Sequence, residues 1–362
     1  MVSSLQLSNQ SPLGVFLFFS LLLVDTTSLY GAGVSASSTS FFAIKATENK
    51  DEAVALLNWK STLENHSQSL LSSWLGNNPC GFTGVACDDY GAITHLNLAH
   101  FGLRGTLDGL DFSSLTNMAG FELGNNLISG SIPSSIGNLS KLNSLHLCGN
   151  ELSGDIPPSI GMLESLHSLY LCANNLSGHI PQEIGRLDSL LELDFSENNF
   201  TGPIPASLGN LSSLIKLNLS KNQLSGAIPT SLGKLDNLIE LGIFRNNFSG
   251  SIPREISDLR NLKSLWLWQN GLSGPIPSDI GRLTSLIDLD LSVNSLTGSV
   301  PHSIGNLTSL SILHLFQNNL IGSIPTSLGK LGNLTELDIS SNILYGSIPQ
   351  EMFNLRSLKI II

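Results

Sequence analysis

The chain has 362 residues, 41% of them hydrophobic and only 12% charged, enough for one large domain or two ordinary ones. Its formal charge of −11 argues against nucleic acid as a partner, because nucleic acid demands a basic face. The surplus of apolar residues is partly local. Leu13 to Val24 reads LGVFLFFSLLLV, and at ~1.5 Å per helical residue it spans roughly 18 Å, short of the ~30 Å core of a bilayer. Small residues follow, with Val34-Ser35-Ala36 as a cleavage site, so residues 1–36 read as a secretory signal peptide whose first stretch lacks Lys and Arg.

Residues 37–90 read as an N-terminal capping domain. DEAVALLNWKSTL, Asp51 to Leu63, sets Val54, Leu57, Trp59 and Leu63 at helical spacing behind acidic residues. Leu70, Leu71 and Trp74 then lead to Cys80 and Cys87. In a secreted chain that close pair is most simply a disulfide pinning the cap.

From residue 91 the chain is repetitive. One frame restarts at Leu115, Leu139, Leu163, Leu187, Leu211, Leu235, Leu259, Leu283, Leu307 and Leu331 without insertion. A looser copy spans Ile93 to Leu107, and an incomplete one starts at Leu355. A 24-residue period holding LxxLxLxxNxL is the mark of a leucine-rich repeat. In the rung from Leu139, Leu145 and Leu147 alternate with His146 and Cys148, as a half-buried strand requires. Asn150 breaks the alternation and recurs in ten rungs, Asn126 to Asn342, where a buried amide would satisfy backbone groups at the turn off the strand. Gly154 allows a tight path, and Pro157 holds the following segment extended. The expected fold is an α/β repeat solenoid, a right-handed superhelix with a parallel concave sheet and a helical cap at its front. A solenoid needs caps at both ends, and no second cap precedes Ile362, so a fragment or truncated product is expected.

The repeat carrying LSGxIPxxIGxLxxL, with ALLNWKSTLENHSQSLLSSW and NPCGFTGVAC before it, resembles the ectodomain of plant leucine-rich-repeat receptor-like kinases over residues 51–362. The resemblance implies an extracellular region whose concave face or inner flank binds a secreted peptide or protein, with a leucine-rich-repeat co-receptor as a further partner and a membrane contacted only through parts beyond Ile362. Departures are Phe82 where the cap usually has Trp, and no RxR ligand clamp, Phe244-Arg245 standing nearest. A free-standing secreted inhibitor of a microbial cell-wall enzyme, resembling the polygalacturonase-inhibiting proteins, is the alternative.

On the outward strand positions, Tyr170, Phe244, Trp266, Trp268 and Phe316 stand out as recognition anchors or as rungs stacked to stiffen the sheet. Tyr170 and Phe316 lie six rungs apart, roughly 29 Å, which an extended peptide of about nine residues bridges. Lys221 and Arg245 sit on adjacent rungs and could share one carboxylate, unless Glu197 pairs with Lys221. Asp288, Asp290, Glu336 and Asp338 form an acidic end suited to a basic group. Cys148 and Cys172, 24 residues apart, fall side by side, either as a cross-rung disulfide or as free thiols. His146 beside them suggests zinc but leaves a fourth ligand missing. Sequons at Asn65, Asn138, Asn175, Asn199, Asn210, Asn247, Asn306 and Asn333 are expected to carry glycans, whereas one at Asn218 falls on the concave strand. No GxSxG, HExxH or kinase signature occurs, and Gly329-Lys330 lacks the Ser or Thr that a P-loop requires. The sequence thus offers no catalytic site, no resident cofactor and no metal centre.

Overall fold

The computed structural model describes residues 51–362, so the signal-peptide reading lies outside the described residues. Residues 51–62 form the first helix of the cap and Asn65–Leu70 the second. The helical face differs from the expected one by a residue or so. Ala53, Leu56, Trp59 and Leu63 are buried, while Val54 is exposed and Leu57 only partly covered. Leu71 and Trp74 likewise enter the core and Leu70 does not. The shift follows from Trp59: its ring meets Trp74 at 6.1 Å and its indole N–H donates to the Thr106 carbonyl at 2.8 Å, which fixes the side of the helix that faces the first rung. Phe82 is buried and stacks on Trp74 at 5.5 Å. Cys80 and Cys87 are bonded.

Thirteen strands among the described residues build one sheet, each paired to the next rung. Only the pairing of Val85–Cys87 with Ile93–Asn97 is antiparallel; all later pairs are parallel, the first at a 25-residue step, Leu96 with Phe121, and the rest in register at 24-residue steps, such as Leu241 with Leu265. Every inward leucine of the strands, from Leu145 to Leu337, is fully or almost fully buried. On the opposite face the first rung turns through the three-residue 3-10 helix Phe112–Ser114 and the later rungs through five-residue ones, for example Ser134–Asn138 and Ala206–Asn210, rather than α-helices. A second set of short strands lies on the flank between, in sheets of four, five and two.

The asparagine ladder explains why the rungs stack without wandering. Asn198 donates to the Leu171 carbonyl of the preceding rung at 2.9 Å and to its own Phe195 carbonyl at 3.2 Å, and accepts from the Leu176 N–H at 3.0 Å. Each such amide therefore satisfies groups of two rungs where the strand ends. The residue before it takes a left-handed conformation, with φ between 50° and 56° in Ala173, Glu197, Lys221, Arg245, Gln269 and Val293, and this turns the chain off the sheet.

The concave face as candidate recognition site

Because strand side chains alternate, each rung presents three outward residues to the concave face. In the rung from Leu259 these are Ser264, Trp266 and Trp268, all half-buried, with Leu265 and Leu267 beneath them. Both tryptophans therefore face outward. Trp268 lies parallel to Phe244 of the preceding rung, ring centroids 4.6 Å apart and planes 8° from parallel. The Arg245 guanidinium sits 5.8 Å from the Trp268 ring centre, on the same flank. Trp266 is paired with Gly242, where the missing side chain leaves it room, and donates its indole N–H to the Asp288 carboxylate at 2.8 Å.

Tyr170, two rungs before Lys216–Asn218, faces out beside His146 at 5.2 Å and gives its hydroxyl to Glu192. Burial and that carboxylate push its phenol up from its ordinary range. Burial pushes the His146 imidazole down. Phe316 ends the series, edge-on to His314 at 6.0 Å.

Lys221 does not join Arg245 on a shared anion. It pairs with Glu197 at 2.7 Å, because the left-handed turns bring these two onto one ledge while Arg245 turns to the Trp268 ring. Asp288, Asp290, Glu336 and Asp338 do come together around His314, which sequence reading passed over. Its Nε2 lies 3.0 Å from Glu336 and its Nδ1 3.4 Å from Asp290. Hydrogen bonding to Asp290 leads the causes that raise His314 to about 9, against the opposing effect of burial. Burial likewise holds the Asp288 carboxyl above its usual range. The signal was available: His314 stands 48 residues after Trp266, hence in the same column.

Cys148 and Cys172 form a disulfide across adjacent rungs, Cα atoms 4.5 Å apart. Neither thiol is left for a metal, and among the described residues no cluster of three or more His, Cys, Asp or Glu side chains is arranged to hold one. Asn175, Asn199 and Asn247 are exposed on the flank after the ladder, Asn138, Asn210 and Asn306 on the convex side, Asn65 on the cap, and Asn333 at the opposite edge. Asn218 is half-buried on the sheet, where its side-chain amide donates to Asp194 at 3.1 Å and its oxygen accepts from the Ser220 hydroxyl at 2.7 Å.

These rungs match the leucine-rich repeat region family over residues 121–251 and 244–353, and the leucine-rich repeat N-terminal domain over residues 49–88. The chain belongs to the leucine-rich-repeat proteins. Within them it is similar to plant receptor-like kinases. A probable leucine-rich repeat receptor-like protein kinase of Arabidopsis thaliana is 45% identical over 103 residues, 26% of this chain and 9% of that protein. The MDIS1-interacting receptor like kinase 2 of the same plant is 45% identical over 106 residues, 28% of this chain and 10% of the relative. The matched stretch is thus about a tenth of each relative's length. Among solved structures, PEPR1–AtPEP1 superposes with a TM-score of 0.82 at 38% identity, covering 85% of this chain and 44% of that one. The ectodomain of the Arabidopsis receptor kinase HAESA, solved with an N-terminally extended IDA peptide hormone, gives 0.74 at 34% identity, covering 87% and 53%.

Proposed function

We propose that the chain is the ligand-sensing region of a plant cell-surface receptor and binds an extended secreted peptide along its concave face. The observation that carries this reading is the Phe244–Trp268 stack, half-buried, outward, and flanked by Arg245 and Trp266. Rigid aromatic surface is costly to leave toward water and is the usual anchor of a recognition site. The residues assigned to contact are Tyr170, Phe244, Arg245, Trp266, Trp268 and Phe316. Lys221 is held by Glu197 and lies at the margin. Next to the anchors, the carboxylates around His314 favour a ligand carrying a cationic group near one end.

The HAESA ectodomain takes a peptide hormone on a similar scaffold and has also been solved with the co-receptor SERK1, which supports a peptide ligand and a co-receptor here. Two disulfides and the run of sequons support an extracellular setting. The region binds rather than catalyses. Calorimetry with a plant secreted-peptide panel tests it on the secreted chain. One or more peptides bind, and Phe244→Ala with Trp268→Ala weakens that binding at least tenfold with the fold intact. Equal binding by the double variant overturns the reading.

A further inference from the structure

A feature beside the concave face bears on a partner other than the peptide. At the edge where each concave strand begins, one residue per rung stands just before the strand and is not buried in the core. In successive rungs from Leu187 to Leu283 it is Leu191, Ile215, Ile239, Lys263 and Ile287. These are true neighbours: the Ile215 N–H donates to Leu191, Ile239 to Ile215, Lys263 to Ile239 and Ile287 to Lys263, each at 2.8 Å. Ile215 is 36% and Ile287 43% exposed, while Leu191 and Ile239 are half-buried. The same position holds Asn143 and His167 before this run and Ser311 and Thr335 after it, so the ridge is confined to five rungs, about 19 Å, four of them apolar and one carrying Lys263. None of these side chains is needed by the core, whose leucines lie beneath.

We propose that this ridge docks a second protein through an amphipathic helix whose apolar side is bordered by lysines and arginines. Charge selects that occupant. Asp188, Glu192, Asp236, Glu240 and Asp288 border the ridge, against Lys216, Arg260 and the intervening Lys263. Around Leu191, Ile215 and Ile239 alone there are four carboxylates and one cation. A second copy would bring the same acidic border against itself, and an anionic membrane surface would be repelled. Spacing selects a helix: rungs recur at ~4.8 Å, close to the ~5.4 Å turn of an α-helix, whereas same-side residues of an extended chain recur at ~6.6 Å. Glycan sites leave the edge open. On these rungs the sequons lie on the opposite flank (Asn199, Asn247), the convex side (Asn210) and the sheet (Asn218).

The test uses the secreted chain and a labelled helical peptide with leucines at i, i+3, i+4 and i+7 bordered by lysines, beside a twin bordered by glutamates. Fluorescence anisotropy is expected to show the lysine peptide binding at least tenfold more tightly than its twin. Ile215→Asp with Ile239→Asp removes that preference, as does the gentler Ile215→Ser with Ile239→Ser, while Phe244→Ala with Trp268→Ala leaves it unchanged. Asp236→Lys with Glu240→Lys transfers the preference to the glutamate twin. Equal binding of the two peptides, absence of binding, or binding indifferent to both ridge variants at unchanged melting temperature overturns the proposal.

Discussion

Cys148 and Cys172 are bonded to each other one rung apart on the concave sheet, each two residues beyond a ring of the His146–Tyr170 pair, whose centroids lie 5.2 Å apart. The bond closes a 24-residue segment that the strand ladder already holds in register, Leu145 against Leu169. Chain entropy sets its contribution at about 3 kcal/mol for a loop of this size, and the existing ladder makes that an upper bound. Replacing both cysteines by Ser is expected to lower the melting temperature by a few degrees and leave the circular dichroism spectrum unchanged. Calorimetry and spectroscopy on the double variant check both outcomes.

Asn198→Ala is expected to cost about 1–3 kcal/mol, because it leaves the buried Leu176 N–H without its partner, while the Leu171 and Phe195 carbonyls keep the amides of Asn174 and Asn222. Asn199→Ala, one residue on and exposed, is expected to stay within about 0.5 kcal/mol. Urea denaturation of the two variants side by side measures the contrast.

Ser257 stands in a column that holds glycine at Gly137, Gly161, Gly185, Gly209, Gly233, Gly281, Gly305 and Gly329, and an exposed Phe353 in the turn after them. At Gly281 an added Cβ would collide with the Ser303 carbonyl oxygen of the next rung, and Ser257 carries both a Cβ and a buried hydroxyl without a partner. Ser257→Ala is expected to raise stability by about 1 kcal/mol by removing the orphan hydroxyl. Gly281→Ala is expected to lower it by about 2 kcal/mol through overpacking. Thermal melts of both variants decide.

His314 is held protonated between Asp290 and Glu336, its pKa raised to about 9. A histidine whose folded pKa exceeds its unfolded value of about 6.5 stabilises the fold fully below that lower value, and the contribution fades as pH climbs through about 9. An NMR titration is expected to place the His314 midpoint near 9 and to bring it down in Asp290→Asn. A midpoint near 6.5 in the unsubstituted chain would contradict the pairing.

Much of this was legible in the sequence because the repeat repeats its physics. Leucine alternation fixed the inward face, and the 24-residue step placed Cys148 beside Cys172 and Glu197 beside Lys221. The cap helix was misphased because DEAVALLNW supports two overlapping apolar faces, and only contact with Trp74 and Thr106 chooses between them. The left-handed residue before each ladder Asn carried little signal, since beyond Asn125 and Gly149 the column holds Ala, Glu, Lys, Arg, Gln, Ser and even β-branched Val293. At the site, tryptophan and phenylalanine announced themselves, whereas His314 needed its two carboxylates assembled from neighbouring rungs before its charge had meaning.

A partner read along the outward columns contacts side chains from Tyr170 to Phe316. Photo-crosslinking of a secreted-peptide library to the intact secreted chain, with mass spectrometry to locate the adducts, addresses it directly. Adducts are expected on Tyr170, Phe244, Trp266, Trp268 and Phe316, with Asn218 free of glycan. Adducts confined to the convex 3-10 turns, or a fully glycosylated Asn218 in the middle of the face, would contradict it.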